Sequence, residues 1–353
     1  MIYECFDTSL RVRDYHETLR VLTRFKSLAG ITRLADLTHL DNTGLPVYTA
    51  IRPRASSLST SQGKGLTKEA AQCSALMESI EVYFAEQLTP KITNKSELDL
   101  IQNGTLFIPI NYLSKSVRFK DRAQAMSWVQ AELVFAKQTI MVPFAEYSLN
   151  SYLPEVLTYS PDTTGLAGGN TYKEALLHGL LEVIERCEPQ QISEVISYKS
   201  GLVEQISKTL DCFITHHQNV YGVPSFDVLI RAKNPFENQI LFKGCGCHLD
   251  KKIALNRALT EAVQSRVTTI AGSRDDLTHT KYDFEHQEFP RVVNKINFDT
   301  VQDYPSKTID EALSILFDRI RENNQDILVH RYYEDELCIL KVKLVSMDVI
   351  NHA

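Results

Sequence analysis

Acidic residues recur in one pattern in three segments of the sequence. Each copy has alanine, then alanine or glycine four residues later, a leucine directly after it, and two polar residues three positions apart. The copies begin at Ala71, Ala175 and Ala254, and their polar pairs are Glu78 with Glu81, Glu182 with Glu185, and Glu261 with Gln264. On a helix, positions four and seven residues apart share one face. The small residues and the first acid therefore point the same way, and the small face predicts close packing against another element.

The first two copies supply two pairs of neighbouring carboxylates. If their helices face each other, the four acids must either take up protons or hold cations. Carboxylate oxygens suit Mg²⁺, whose coordination is usually completed by water and substrate phosphates. Two glutamates three residues apart are also common on solvated helix faces, so one pair alone would not indicate a site. Three copies with small-residue faces favour a functional cluster.

Two glycine-rich segments directly precede the first two acidic helices: SQGKG at 61–65 and TTGLAGGN, which ends at Asn170. We predict loops here, because glycine-rich turns at a helix N-terminus expose N–H groups that bind phosphate. Neither segment is a Walker A motif or a dinucleotide fingerprint. Arg186 either pairs with Glu182 or provides a cation for phosphate. Arg257 and Arg266 flank the third polar pair and leave the same two interpretations open.

Composition excludes several other classes of protein. The 353-residue chain has a net charge of −6, which gives no reason to expect nucleic acid or an anionic membrane as a partner. Its seven cysteines form no disulfide framework and its N-terminus has no apolar signal region, so we expect a cytoplasmic protein. GCGCH at 244–248 is a poor zinc motif and is interpreted as structural. No nucleophile–base pattern favours a hydrolase triad.

Alternating blocks of helix and strand patterns predict an α+β or mixed α/β fold in one domain, 1–353. The predicted helices are 8–28, 67–87, 172–187, 202–217, 250–268 and 309–323. The predicted strands form a hairpin in 30–53 and further pairs in 131–149, at 224–231 and 239–248, and at 326–333 and 337–346, with a polar irregular stretch at 273–306.

Four segments, in order, resemble the signature blocks of the YcaO domain. They are GITRLADLTHLDNTGLPVYTAIRP, SQGKGLTKEAAQCSALMESIEVY, TTGLAGGNTYKEALLHGLLEVIER and GCGCHLDKKIALNRALTEAVQSR, the last continuing to AGSRDD. The resemblance extends from about residue 10 to 276. It implies a YcaO-like fold with mixed sheets and packed helices, and an ATP site in which paired glutamates on two helices hold Mg²⁺ on the phosphates.

The resemblance also implies roles for individual residues. Glu78, Glu81, Glu182 and Glu185 would bind magnesium, and Glu78 would also contribute to the nucleotide site. Arg186 would contact phosphate and, with Glu182 and Glu185, form the catalytic set. Further nucleotide contacts would come from Asn170, Glu174, Arg11, Thr18, and Arg257 or Arg266.

The implied chemistry is attack of a thiol, hydroxyl or sulfide on a peptide carbonyl, followed by transfer of the γ-phosphoryl group of ATP to the oxygen. The chain ends LVSMDVINHA without the proline-rich tail of azoline-forming members. We therefore expect thioamide formation with a TfuA-type partner, and the alternative is an azoline-forming cyclodehydratase with a peptide-binding partner. A non-catalytic ATP-binding scaffold and a carboxylate metallohydrolase that uses no ATP also stay open, as does a homodimer.

Overall fold

Strands and helices alternate in blocks along the chain, which confirms the predicted α+β class. The computed structural model describes residues 4–6, 9–109, 112, 121–159, 161–187, 194–199, 201–236, 239–272, 287–291 and 294–351. Their strands are β1 Glu4–Phe6, β2 Ser9–Arg11, β3 Arg33–Asp36, β4 Val47–Ile51, β5 Thr60–Lys64, β6 Ile92–Lys95, β7 Met126–Leu133, β8 Gln138–Pro143, β9 Leu166–Gly169, β10 Glu194–Ser197, β11 Leu210–His217, β12 Ser225–Ala232, β13 Phe242–Cys247, β14 Lys295–Asn297, β15 Gln325–Glu334 and β16 Cys338–Ser346.

The helices are α1 Tyr15–Leu28, α2 Lys68–Glu86, α3 Glu97–Gln102, α4 Phe144–Tyr147, α5 Pro154–Tyr159, α6 Tyr172–Glu185, α7 Gly201–Ile206, α8 Lys251–Ala271, α9 Ile309–Glu322 and α10 Met347–Asn351, with short 3₁₀ turns at Thr38–Leu40 and Phe298–Thr300. None of these helices is both long enough and apolar enough to span a bilayer. The predictions for α2, α6, α8 and α9 are confirmed, and so are the hairpins β3–β4, β12–β13 and β15–β16.

Four predicted boundaries are wrong. Helix α1 begins at Tyr15 rather than near residue 8, because Asp14 caps it by accepting a hydrogen bond from the N–H of Glu17 at 2.7 Å. The helix predicted over 202–217 stops at Ile206, since 210–217 pairs along its whole length with β12. The strand pair predicted over 131–149 begins earlier, at Met126, and its last residues form α4.

The two glycine-rich segments predicted as loops are largely strands, β5 and β9. Gly63 on β5 and Gly169 on β9 lie where the strand crosses the helix that follows it, so close that a Cβ atom would come under 3.0 Å from the helix backbone. Of the stretch predicted as irregular, 273–286 and 292–293 lie outside the described residues. Lys295–Asn297 forms β14, which pairs in parallel with β10.

The chain divides into two compact units, each assembled from separate segments. The first comprises Met1–Pro53, Leu58–Ser79 and Ile184–Ala312. It contains the sheet β13-β12-β11-β10-β14, the sheet β3-β4-β5 and the pair β1-β2. Helix α8 covers one face of the five-stranded sheet, where Leu255, Leu259 and Val263 pack against Phe226, Val228 and Ile230 in one apolar cluster.

The second unit comprises Arg54–Ser57, Ile80–Val183 and Leu313–Ala353. Its strands form one sheet of order β6-β7-β15-β16-β9, with β8 paired to β7. Trp128, Tyr147 and Leu328 are fully buried in its apolar clusters. The completely buried Asp326 accepts hydrogen bonds from the N–H groups of Phe135 and Ala136, each at 2.9 Å, and so fixes the turn between β7 and β8.

Candidate functional site

Each of the three repeat helices directly follows an edge strand and packs against it through backbone contact. Strand β5 is an edge of its sheet and leads into α2. A Cβ atom added to Gly63 would lie under 3.0 Å from the backbone of Ala71 and Ala75, a distance that real Cβ atoms essentially never show. The two alanines of the first copy are therefore small because the preceding strand touches them.

The second and third copies repeat this contact. Edge strand β9 leads into α6, and a Cβ on Gly169 would lie 2.5 Å from the N atom of Ala175. Edge strand β13 leads into α8, where a Cβ on Gly244 would lie under 3.0 Å from the backbone of Ala258 and Ala262. A Cβ on Gly246 would lie as close to the backbone of Ala254 and Ala258. The predicted close packing of the small-residue face is confirmed, and its partner is in each case the strand just before the helix.

The second polar residue of each copy bonds to a backbone group of another copy's edge strand. The carboxylate of Glu81 accepts from the N–H of Gly168 on β9 at 2.5 Å, and that of Glu185 accepts from the N–H of Cys247 on β13 at 3.0 Å. The side-chain amide of Gln264 donates to the carbonyl of Gln62 on β5 at 3.0 Å. The order is cyclic: the first copy contacts the strand of the second, the second that of the third, and the third that of the first.

The two acids of each pair differ in burial. Glu78, which shares the face of the small residues, is exposed, and Glu182 is half-buried. Glu81 is only 8% exposed and the Glu185 side chain 6%. The atoms nearest to a Cβ on Gly63 belong to Ala71 and Ala75, and Glu78 lies one turn further along the helix. Each pair thus combines one accessible carboxylate with one that a strand edge fixes in place.

Charged side chains surround Glu185 in the first unit. Burial, followed by the negative charge of Glu261, raises the pKa of Glu185, while Arg257, Lys64 and Arg186 oppose that shift. Glu261 forms an ion pair with Lys64 and accepts from the N–H of Cys245 at 3.3 Å. Burial acts to raise the pKa of Glu261, but Lys64, the N–H of Cys245 and Arg186 together outweigh it, and the pKa is lowered. A proton or cation beside Glu185 would relieve the carboxylate repulsion.

The three predicted arginines have different surroundings. The exposed Arg186 places its Nε 3.9 Å from the Glu185 carboxylate. The Nε atom of Arg257 is buried and has no hydrogen-bond partner in the described part of the chain. Arg266 is buried, and its Nε lies 3.2 Å from the carboxylate of Asp41. The charge of Arg257 acts on Glu185 and lowers its pKa, whereas Arg266 forms a core ion pair with Asp41.

Asn170 and Glu174 come together at the start of α6 in the second unit. Both are buried, and the Asn170 amide donates to the Glu174 carboxylate at 3.1 Å. Two N-terminal residues also have predicted nucleotide contacts. Arg11 lies on β2, where its backbone is opposite that of Glu4 on β1, and Thr18 is buried on α1.

Sequence reasoning missed the Lys64–Glu261 ion pair and the strand-edge N–H groups that hold Glu81 and Glu185. Lys64 within SQGKG was the only signal for the ion pair, because nothing local connects it to Glu261, 197 residues away. Among the described residues, no three His, Cys, Asp or Glu side chains form a preassembled metal-binding group. The Cys-Gly-Cys sequence lies in β13.

A family model described as YcaO cyclodehydratase, ATP- and Mg²⁺-binding, matches residues 62–346. The chain therefore belongs to the YcaO family. An uncharacterised protein of Mycobacterium tuberculosis (strain CDC 1551 / Oshkosh) is 34% identical over 77% of this chain and 65% of its own length. The chain thus spans slightly less than two thirds of that relative. A Rhizobium leguminosarum bv. trifolii protein, described as lying in the tfuA 3′ region, is 29% identical over 78% of this chain and 72% of its own.

Solved structures share the fold. YcaO from Methanopyrus kandleri, bound with AMPPCP and Mg²⁺, superposes with a TM-score of 0.73 at 19% identity, covering 97% of this chain and 94% of that one. A chain of the E. coli microcin synthetase McbBCD complex gives 0.62 at 16% identity, covering 89% and 87%. At these identities the likeness establishes the fold alone, and the YcaO-like α+β architecture is confirmed.

Proposed function

We propose that this chain binds ATP with Mg²⁺ and uses it to phosphorylate the oxygen of a backbone amide in a peptide or protein substrate. The observation that carries the proposal is that each unit has one buried carboxylate held by a backbone N–H of an edge strand, Glu185 in the first unit and Glu81 in the second. A carboxylate oriented in this way before a cation arrives loses little side-chain freedom on binding it. Membership of a family with an ATP- and Mg²⁺-binding description supports the same assignment.

The donor set fits magnesium. Glu78, Glu81, Glu182 and Glu185 offer hard oxygen ligands, and Mg²⁺ commonly takes only some of its ligands from protein and the rest from water and phosphate oxygens. Bound there, Mg²⁺ would neutralise phosphate charge. The raised pKa of Glu185, caused by burial and by Glu261, supports a position that favours an added cation.

Other residues would contact the nucleotide. Arg186 and Arg257 would add positive charge beside the phosphates. The further candidates for nucleotide contacts are Asn170, Glu174, Arg11, Thr18 and Arg266.

The reaction needs little covalent chemistry from the protein. A nucleophile adds to the carbonyl carbon of the amide, and the resulting oxyanion takes the γ-phosphoryl group from ATP, which leaves as ADP. Collapse of the adduct then expels phosphate together with the former amide oxygen. The contribution of Glu182, Glu185 and Arg186 would be to align the phosphates and to balance charge during transfer.

Within this class we favour thioamide formation, in which the nucleophile is an external sulfide and a TfuA-type protein assists. The Rhizobium relative in the tfuA 3′ region supports this choice. The alternative is azoline formation, in which a Cys, Ser or Thr side chain of the substrate attacks the preceding carbonyl. The fold shared with a chain of the McbBCD microcin synthetase complex favours a partner protein in either case.

Calorimetric titration of ATP, with and without Mg²⁺, tests the nucleotide site. We expect magnesium-dependent binding by the wild-type chain and binding weaker by at least about tenfold, or about 1.4 kcal/mol, in Glu182→Gln. Glu86→Gln is the matched control, because Glu86 is a buried acid on a repeat helix whose carboxylate is bonded to Ser57. No binding by the folded wild-type chain, or equal losses in both variants, would refute the assignment.

Mass spectrometry of a peptide incubated with the chain, ATP, a sulfide source and a TfuA-type protein then identifies the product. Replacement of oxygen by sulfur raises the peptide mass, whereas cyclodehydration lowers it by one water. A lighter product would replace thioamidation by azoline formation. ATP binding without either product would favour the scaffold, and hydrolysis that requires metal but not ATP would favour a metallohydrolase.

A further inference from the structure

A buried lysine on β16 donates hydrogen bonds to two separate segments of the second unit. Lys341 is 2% exposed, and its ammonium donates to the backbone carbonyls of Glu146 at 2.9 Å and Asp162 at 2.7 Å. It also lies 5.6 Å from the centre of the Tyr147 ring. The two carbonyls belong to α4 and to the turn that precedes β9.

Stability alone does not explain a lysine here. Burying an ammonium group costs several kcal/mol even with partners, and an apolar side chain of similar size is often more stable. Burial lowers the pKa of Lys341 to about 8, against the opposing charges of Asp162 and Glu182. A costly buried charge with defined partners, close to a proposed functional site, indicates a role at that site.

The turn at 162–165, to which Lys341 is bonded, contacts both β16 and the part of α6 that contains Glu182. The Asp162 side chain accepts from the N–H of Thr164 at 3.0 Å, and the Gly165 carbonyl accepts from the N–H of Val342 at 2.9 Å. Gly165 has a φ of +78°, and a Cβ added there would lie 3.0 Å from the Val183 side chain. Val183 directly follows Glu182, so the turn packs against the segment of α6 that carries this acid.

We infer that Lys341 is a positioning residue for Glu182, acting through the turn at 162–165 that it anchors against α6. This inference rests on the proposed function, since it assumes that Glu182 binds magnesium. Lys341 contacts neither metal nor nucleotide in this role. It fixes the backbone on which the helix end rests, and second-layer partners of this kind typically change metal affinity by 10–100-fold when removed.

Strand β16 provides a matched control. Lys343 lies two residues further along the same strand, has a side chain that is 16% exposed, and has a pKa likewise lowered by burial to about 8. Its ammonium pairs with the carboxylate of Glu146, which lies in α4 and not in the turn at 162–165. Lys343→Met thus removes a charge from the same sheet without removing the anchor of the turn.

The experiment is a magnesium titration of ATP binding at fixed ATP for wild type, Lys341→Met and Lys343→Met, with melting temperatures measured in parallel. We expect the half-saturating Mg²⁺ concentration to rise about tenfold in Lys341→Met, and to stay within about twofold of wild type in Lys343→Met. If Lys341→Met does not fold, Lys341→Gln replaces it, because glutamine keeps an amide donor but loses the charge. We expect the half-saturating Mg²⁺ concentration to rise in this variant as well.

Unchanged magnesium dependence in a folded Lys341 variant would overturn the inference while leaving the ATP site intact. An equal rise in Lys343→Met would also overturn it, because general loosening of the sheet would then be the cause. Failure of the wild-type chain to bind ATP at any magnesium concentration would refute the proposed function instead, so the two failures are distinguishable.

Discussion

Substitution of Gly244 by alanine tests whether backbone contact between strand and helix holds the repeat together. Gly244 lies in β13, and an added Cβ would come under 3.0 Å from backbone atoms of Ala258 and Ala262 in α8. Ordinary contact requires 3.4–4 Å, and backbone atoms cannot rotate away as the end of a side chain can. The helix must therefore recede from the sheet by about 1 Å, which is a large displacement for a close-packed interior.

The energetic effect follows from the side chains that α8 buries against the same sheet. Leu255, Leu259, Val263 and Val267 are at most 1% exposed. Each contributes about 1.5–3 kcal/mol when fully buried, and a gap of about 1 Å forfeits a quarter to a half of the attractive contact energy. Over four side chains we expect destabilisation of about 3 kcal/mol, at the upper end of typical overpacking costs.

Thermal denaturation followed by circular dichroism provides the assay. A loss of about 3 kcal/mol lowers the melting temperature of a unit this large by roughly 6–12 °C. Gly201→Ala is the control, because no atom lies within 4 Å of a Cβ at Gly201, and we expect it to be neutral or slightly stabilising. A Gly244→Ala protein that melts within about 2 °C of wild type would refute the packing explanation of the repeat.

Three further outcomes are expected. Asp326→Ala should lower the free energy of unfolding by about 2–5 kcal/mol, because two backbone N–H groups at 135–136 lose their buried acceptor; Asp326→Asn should lose less, and equal urea midpoints for the two variants would contradict this. Arg266→Met should cost about 3–5 kcal/mol by leaving Asp41 unpaired in the core, and a second change, Asp41→Asn, should recover part of it in a double-mutant cycle. Lys343 has a pKa of about 8 in the folded protein, so above pH 8 the unfolded chain binds more protons than the folded one. Lys343 should therefore raise the free energy of unfolding by about 1 kcal/mol between pH 7 and pH 9. A Lys343→Met protein whose stability rises as steeply as that of wild type over this range would disprove this prediction.

The sequence predicts the long elements well because their signals are local. Helices α2, α6 and α8 carry their own apolar period and their own alanine stripe, and the hairpins carry alternation and turn residues. Strands β5 and β9 are missed because glycine-rich composition is typical of loops. Here glycine permits a strand to lie on a helix, a requirement that appears only when both elements are in place.

Prediction of the site is limited in the same way, because local sequence signals do not show contacts between residues that are distant in the chain. Spacing identifies the acidic pairs, but it does not reveal that Glu81, rather than Glu78, is buried. That outcome depends on Gly168, 87 residues away, and the corresponding partner of Glu185 is 62 residues away. Lys341 has partners 195 and 179 residues distant, so no local pattern indicates its role.

The cyclic contacts of the repeat have a consequence for self-association. An edge strand with open N–H and C=O groups is a template on which a second molecule can add a strand and begin to aggregate. One such group on each of β5, β9 and β13 is occupied, by Gln264, Glu81 and Glu185 respectively. The charge of the two glutamates also disfavours an approaching strand. Glu81 and Glu185, proposed to serve the reaction, would thereby also disfavour strand addition between molecules, and we expect substitutions of these acids to increase aggregation.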